Sequence, residues 1–184
     1  SNTYATESPV TDGQFVYAYF AAAGVVGCVD LDGELVWVEE VGVFPHGNGF
    51  GSGSGLAMDA GRLFVQCDND QNSFALALSA KDGSQIWKVD RPGRTSWSTP
   101  LVWRSEKGNV LVLCGSGDVV GYDPADGSKL WELSNFGGSF SSSPAVDESG
   151  LYMGNSGPRS SGPLAAIDPS ASGELALTRG QSDG

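Results

Sequence analysis

The chain is short of the residues on which most catalytic and metal chemistry draws. It has one histidine, three cysteines and two methionines among 184 residues, and its 10 Lys and Arg face 22 Asp and Glu, for a formal charge of −12. A surface that acidic disfavours partners whose phosphates must be neutralised, so nucleic acid and anionic membrane surfaces are unsuited to it. Cys28, Cys67 and Cys114 show no CxxC spacing and no adjacent pair, which argues against a disulfide framework or a zinc site. They read as small apolar residues packed in strands, and a bridge would require neighbouring strands to bring two of them within reach. No apolar run approaches the ~20 residues that span a bilayer. The opening residues Ser1 to Thr6 carry neither the basic nor the apolar region of a secretory signal, so a signal already removed, or a piece cut from something longer, is expected. What the chain has in plenty is glycine, 27 residues without a three-residue period, as an all-β protein with many tight turns requires.

Those turns recur. Val29 to Trp37, Ala77 to Trp87, Tyr122 to Trp131 and Ile167 to Leu177 are copies of one motif, whose glycines Gly33, Gly83, Gly127 and Gly173 lie 50, 44 and 46 positions apart. Pro9, Gly55, Pro100 and Pro144, each opening a short apolar segment, keep an independent spacing of 46, 45 and 44. A period of that size marks solenoids and propellers. Each copy holds short β-rich runs separated by turn residues, without alternating helices. In the third copy these are Ser98 to Trp103, Asn109 to Cys114, Val119 to Asp123 and Ser128 to Leu133. The predicted fold is all-β, a β-propeller of four-stranded antiparallel blades covering approximately residues 1–45, 46–92, 93–137 and 138–184. A solenoid of parallel β coils would need shorter repeats.

Within the motif, Asp30, Asp123 and Asp168 precede the turn and can accept hydrogen bonds from its amides, and the glycine supplies the corner. The Trp four residues later buries a large ring, which suits docking against the next blade; Trp37, Trp87 and Trp131 are expected to be structural. The fourth copy has Leu177 at that place and a Gly/Ser-rich stretch from Asn155 to Gly162, read as its longest loop, so the last blade is expected to be the least tightly fixed.

The pattern Asp-Pro-x-x-Gly-x-x-x-Trp after an alternating apolar strand resembles the tryptophan-docking repeat of the pyrroloquinoline quinone (PQQ) propeller superfamily, and Thr95 to Pro100 resembles the segment that precedes the first strand in its members. The resemblance covers nearly the whole chain and implies the propeller fold. It is similar to the PQQ-like repeat proteins of bacterial envelope and secreted proteins; the superfamily also contains quinoprotein dehydrogenases and the lipoprotein scaffold of the outer-membrane barrel assembly machine. Fold alone does not choose among these. Members usually have seven or eight blades where this sequence supplies four. Sequence that completes the ring, a second copy of the chain, or closure with four blades would each answer the difference. The first is favoured, because the ends fall in phase with the repeat and the polar tail Arg179 to Gly184 looks like a cut through a loop.

Relatives that oxidise alcohols resemble one another in a vicinal cysteine pair or basic residues around the quinone, an Asp base, and Glu and Asn ligands to calcium; here no cysteines adjoin, and His46 has no carboxylate and nucleophile at motif spacing. PQQ is therefore not expected, no catalytic residue is assigned, and the chain reads as a non-enzymatic binding or scaffolding module of a periplasmic or secreted protein. The alternative is part of a PQQ-dependent dehydrogenase whose catalytic residues lie elsewhere. Two sites are candidates. Asp68, Asp70 and Asn72 alternate hard oxygen ligands in a turn, as calcium prefers, although no Glu closes the loop and Asx-rich turns are common without metal. Tyr4, Phe50, Trp97 and Phe140 lie in the segments ahead of equivalent first strands and could form an aromatic ring for a protein partner or a small polar ligand, the alternative being turn packing.

Overall fold

A computed structural model of the protein describes residues 6–105, 107–157 and 160–177. The first sheet is an antiparallel meander of β1 (Val10–Thr11), β2 (Phe15–Phe20), β3 (Val25–Asp30) and β4 (Leu35–Glu40). The second repeats it with β5 (Leu56–Asp59), β6 (Arg62–Cys67), β7 (Phe74–Ser79) and β8 (Gln85–Asp90). The third contains β9 (Leu101–Ser105), β10 (Gly108–Cys114), β11 (Ser116–Tyr122) and β12 (Lys129–Ser139), and the fourth β13 (Ala145–Val146), β14 (Leu151–Gly157) and β15 (Ser160–Ile167). One apolar core joins the first sheet to the second, another the second to the third, and another the third to the fourth. Among the described residues no such core joins the fourth sheet to the first, so these radial sheets form an open run of propeller blades. No helix among the described residues is long and apolar enough to cross a membrane.

The turn between the third and fourth strands explains the motif. Asp30 Oδ1 accepts from the amides of Asp32 and Glu34, and Asp123 Oδ1 from that of Ala125. Gly33, Gly83 and Gly127 turn the corner at φ of +87°, +75° and +76°, a region costly to any residue with a Cβ. The indoles then reach into the next sheet. Trp37 Nε1 donates to the carbonyl of Ala80 and Trp87 Nε1 to that of Pro124, each at 3.1 Å, and each ring lies against the turn glycine of that sheet, Gly83 or Gly127. Across the strands the rows are Tyr17, Cys28, Trp37 and Phe64, Ala77, Trp87, with the aromatic pair at 6.0 Å between centroids in both.

Trp131 departs from this pattern. Its row is Val112, Gly121, Trp131, and with glycine where Cys28 and Ala77 stand, the indole folds flat over its own sheet, occupying the space a Cβ at Gly121 would need. It is still buried in the core shared with Leu151, Met153 and Ile167, but nothing lies within 4 Å of where a Cβ on Gly173 would be.

The fourth unit differs from the sequence expectation in two ways. Its last strand, β16 (Gly173–Leu175), does not pair with β15; it runs parallel to β12 on the free edge of the third sheet, leaving three strands in the fourth. The turn from Asp168 to Gly173 is one residue longer than that from Asp123 to Gly127, which breaks the tight hairpin, and Leu177 brings no indole to hold the strand outward, so the unpaired edge of β12 captures it. The stretch read as a loop from Asn155 is instead a continuation of the β14–β15 ladder, with Ser156 opposite Ser161 and Gly157 opposite Ser160. Main-chain pairing needs no apolar side chains, and the Gly/Ser composition concealed it.

Candidate binding site

The connectors that carry the chain from one sheet to the next lie side by side and are stitched at the repeat interval. Thr6 Oγ1 donates to the Ser52 carbonyl, Trp97 Nε1 to that of Gly51 at 2.8 Å, and Ser96 Oγ and the Trp97 amide both to that of Phe140. Thr99 Oγ1 accepts from the Gly55 amide, and the Thr99 amide donates to Ser143 Oγ. Phe50 and Trp97 meet at 6.4 Å between ring centroids, and Phe50 stays 58% exposed. Phe140 does not join an open aromatic surface. Its ring is wholly buried, stacked on Phe136 at 5.2 Å, because the flat face of Phe136 and the adjoining third core offer it an apolar environment. Tyr4 lies outside the described residues. Beside Phe50, a cleft of about 300 Å³ opens between the first sheet and its connector, lined among others by Glu7, Ala21, Val43, Phe44, His46 and Ser52. Burial holds the His46 imidazole below the usual histidine range, so it presents a neutral ring at pH 7.

The acidic turn is taken apart by its neighbours. Asp68 points inward, accepting from Arg91 Nε at 3.0 Å and from Gln66 Nε2 at 2.7 Å, whereas Asp70 accepts from Thr95 Oγ1 at 2.7 Å and Asn72 uses its amide and carbonyl on the Asn69 side chain. Asn69, not Asn72, organises the loop: its Oδ1 takes the amides of Gln71 and Asn72, and its Nδ2 reaches the carbonyls of Cys67 and Asn72. Asp68 and Asp70 are thus held by different partners, and among the described residues no group of three or more His, Cys, Asp or Glu side chains is placed to hold a metal ion.

A buried charge cluster sits instead between the second and third sheets, and the sequence reading missed it. Arg91, whose side chain is fully buried, pairs with Asp68, donates to Tyr122 Oη at 3.1 Å and approaches Asp118 Oδ2 at 3.9 Å. Gly115 makes room for it, since a side chain there would run into both Asp118 and the Arg91 guanidinium. Burial opposes charge on Arg91, but the carboxylate of Asp68 and the oxygen of Tyr122 hold its pKa above the ordinary value. Asp118 goes the other way. Burial raises its pKa, Arg91 only partly offsets this, and neither carboxylate oxygen has a hydrogen-bond partner. The signal in the sequence is Asp118 itself, a carboxylate at the head of the apolar run Val119, Val120. The thiols do not supply a nucleophile: all three are free and buried, and burial pushes Cys114 up to about 12.

The PQQ-repeat family model described as "Outer membrane protein assembly factor BamB" matches residues 22–181. The chain belongs to this BamB-type PQQ-repeat family. Among solved structures, BamB from Moraxella catarrhalis is similar at a TM-score of 0.63 and 19% identity, over 88% of this chain and 44% of that one. The quinohemoprotein alcohol dehydrogenase ADHIIG from Pseudomonas putida HK5 is similar at 0.52 and 20% identity, over 68% of this chain and 20% of that one. A europium-containing methanol dehydrogenase is similar at 0.50 and 20% identity, over 68% and 24%. At these identities the likeness is one of fold, and it agrees with the open run of PQQ-type blades. The chain spans less than half the length of each of these relatives. No curated protein matches it in sequence.

Proposed function

We propose that the chain is a non-enzymatic binding or scaffolding module of a bacterial envelope or secreted PQQ-repeat protein, periplasmic or exported, whose partner is a protein segment held along the stitched connectors. The observation that carries this reading is how the reactive groups are spent. Asp68 is tied to Arg91, Asp70 to Thr95, and the thiols are buried, whereas Phe50 stays open beside the cleft under His46. An exposed aromatic next to an apolar cleft with a polar rim suits an extended peptide or a small polar ligand. Membership in a family named for outer membrane protein assembly favours the peptide. Titration with short extended peptides of alternating apolar and polar residues is expected to shift the resonances of Phe50 and His46, and Phe50→Ser to weaken binding about tenfold, or ~1.4 kcal/mol. Peptide binding unaffected by Phe50→Ser would contradict the placement.

The likeness to quinoprotein dehydrogenases supports a second reading, that the chain is part of a PQQ-dependent oxidoreductase. Reconstitution with PQQ and calcium, followed by dye reduction with alcohols, separates the two. The first reading expects no turnover, and turnover would replace it with the second.

A further inference from the structure

β4 and β8 end their sheets, whereas β12 carries β16 along its outer edge. That edge therefore accepts a strand in parallel, with Trp131 opposite Gly173, Glu132 opposite Glu174 and Leu133 opposite Leu175. The resident strand fits it badly in three respects. It is short: β12 is laddered to β11 from Lys129 to Ser134, and β16 covers only the middle of that stretch, with Gly173 and Glu174 exposed. It leaves a row empty, since opposite Trp131 stands a glycine, and nothing lies within 4 Å of where its Cβ would be. It also sets two carboxylates side by side, an unfavourable pairing for neighbours across a ladder. Lys129 Nζ lies 2.6 Å from Glu132 Oε2 and also in the field of Glu174, so one ammonium serves both. Leu175 alone fits well, packed against the core that contains Leu133.

β16 also has another place to lie. In the regular sheets the third strand pairs with the fourth on its outer side, but the outer edge of β15 is unpaired. Beside it an apolar cleft of about 240 Å³ is lined among others by Ala165, Ala166, Ile167, Leu175 and Leu177.

We propose that the outer edge of β12 is a strand-addition site for an extended segment of a partner protein, and that β16 is its displaceable internal occupant. Main-chain pairing supplies the attachment, and the side-chain rows supply the choice. The matching segment runs parallel to β12, with an apolar residue opposite Trp131, a lysine or arginine opposite Glu132 and an apolar residue opposite Leu133. A charge of −12 on the whole chain favours the approach of a basic segment. A second copy of this chain does not offer one. Of its 10 Lys and Arg, Lys88 alone stands between two large apolar residues, and those, Trp87 and Val89, are packed into the seam with the third sheet. The proposal shares with the binding-module reading only the expectation of a protein segment. Its surface is separate from Phe50 and His46, so either can fail without the other.

The test uses the 184-residue chain, amide NMR and two pentapeptides, acetyl-Thr-Ile-Lys-Ile-Thr-amide and its counterpart with Glu in place of Lys. The lysine peptide is expected to shift the amides of Glu132, Leu133, Glu174 and Leu175 saturably, and to bind at least about tenfold tighter than the glutamate peptide. Glu132→Lys should invert that preference. Residues opposite each other across a ladder are close enough for a disulfide, so a Glu132→Cys, Glu174→Cys double variant can lock β16 in place. Reduced, it should bind both peptides alike, because Glu132 is gone; oxidised, it should bind neither, because β16 can no longer leave. The reduced form is the folding control. Equal affinity of the unaltered chain for the two peptides, no shift at Glu132 and Glu174, a preference unchanged by Glu132→Lys, or equal behaviour of the oxidised and reduced variants would overturn the proposal. So would sedimentation as a dimer in which the Glu174 amide is protected from exchange, which would assign the edge to a second copy.

Discussion

Replacing Trp87 by alanine should be among the most damaging changes in this protein, and clearly worse than replacing Trp37. Trp87 is 7% exposed, its ring covers Gly127 and packs with Phe64 in the second core, and its indole nitrogen holds the Pro124 carbonyl. Truncating a buried Trp costs about 3–5 kcal/mol, because neighbours close only partly over the cavity. Trp37 makes the equivalent hydrogen bond but is only half-buried, so about 2–3 kcal/mol is expected. A native stability of roughly 5–15 kcal/mol makes either loss a large fraction of the total. At about 2–4 °C per kcal/mol for a chain of this size, Trp87→Ala should lower Tm by roughly 6–20 °C. Urea unfolding followed by far-ultraviolet circular dichroism measures this without relying on the fluorophore that has been removed. Trp87→Phe, which keeps much of the ring and loses only the donor, should recover more than half of the deficit. A loss below about 1 kcal/mol for Trp87→Ala, or a larger one for Trp37→Ala, would refute the reasoning that links seam burial to stability.

Other consequences follow from the same geometry. Gly121→Ala places a methyl group inside the present position of the Trp131 ring, so it should push the indole toward Gly173 and cost about 1–3 kcal/mol; urea unfolding and the Gly173 amide shift report the two effects. Arg91→Met leaves Asp68 and Asp118 buried without their cation and should cost about 3–5 kcal/mol in the same assay. Asp118 has a folded pKa raised above its unfolded value of 3.8, so its contribution is fully present below that value and is lost as pH rises through the folded pKa. Asp118→Asn should accordingly stabilise the protein at pH 7, by about 1–3 kcal/mol, with the advantage shrinking toward pH 4 in thermal melts.

The sequence disclosed what repeats. Two independent spacings located the sheets, the β-rich runs located most strands, and the turn glycines were identified with the positive φ they adopt. It concealed what depends on differences between copies. Gly121 in place of Cys28 and Ala77 looks like a neutral change, yet it decides where Trp131 lies, because the consequence is visible only once the strands are paired. One extra residue after Asp168 sends β16 to another sheet, an effect of hairpin geometry that no periodicity contains. Arg91 finds Asp68 and Asp118 across 23 and 27 positions, and nothing local marks it as buried. For the same reason the partners of the acidic turn were not legible: its carboxylates accept from Arg91 and Thr95, which the connector after β8 brings from more than 20 positions away. The hydroxyl and indole groups of the connectors turn toward neighbouring connectors, a pairing that no local pattern in the sequence contains.

The first sheet is held to the second, and the second to the third, by an indole hydrogen-bonded to a carbonyl of the next turn. Hydrogen exchange at the indole nitrogens, resolved by NMR, tests it most directly. Trp37 and Trp87 should be protected nearly as well as the strand amides around them, and Pro124→Ala, which keeps the carbonyl, should leave the protection of Trp87 intact. Indole protons of Trp37 and Trp87 that exchange as fast as those of a free tryptophan would contradict the account.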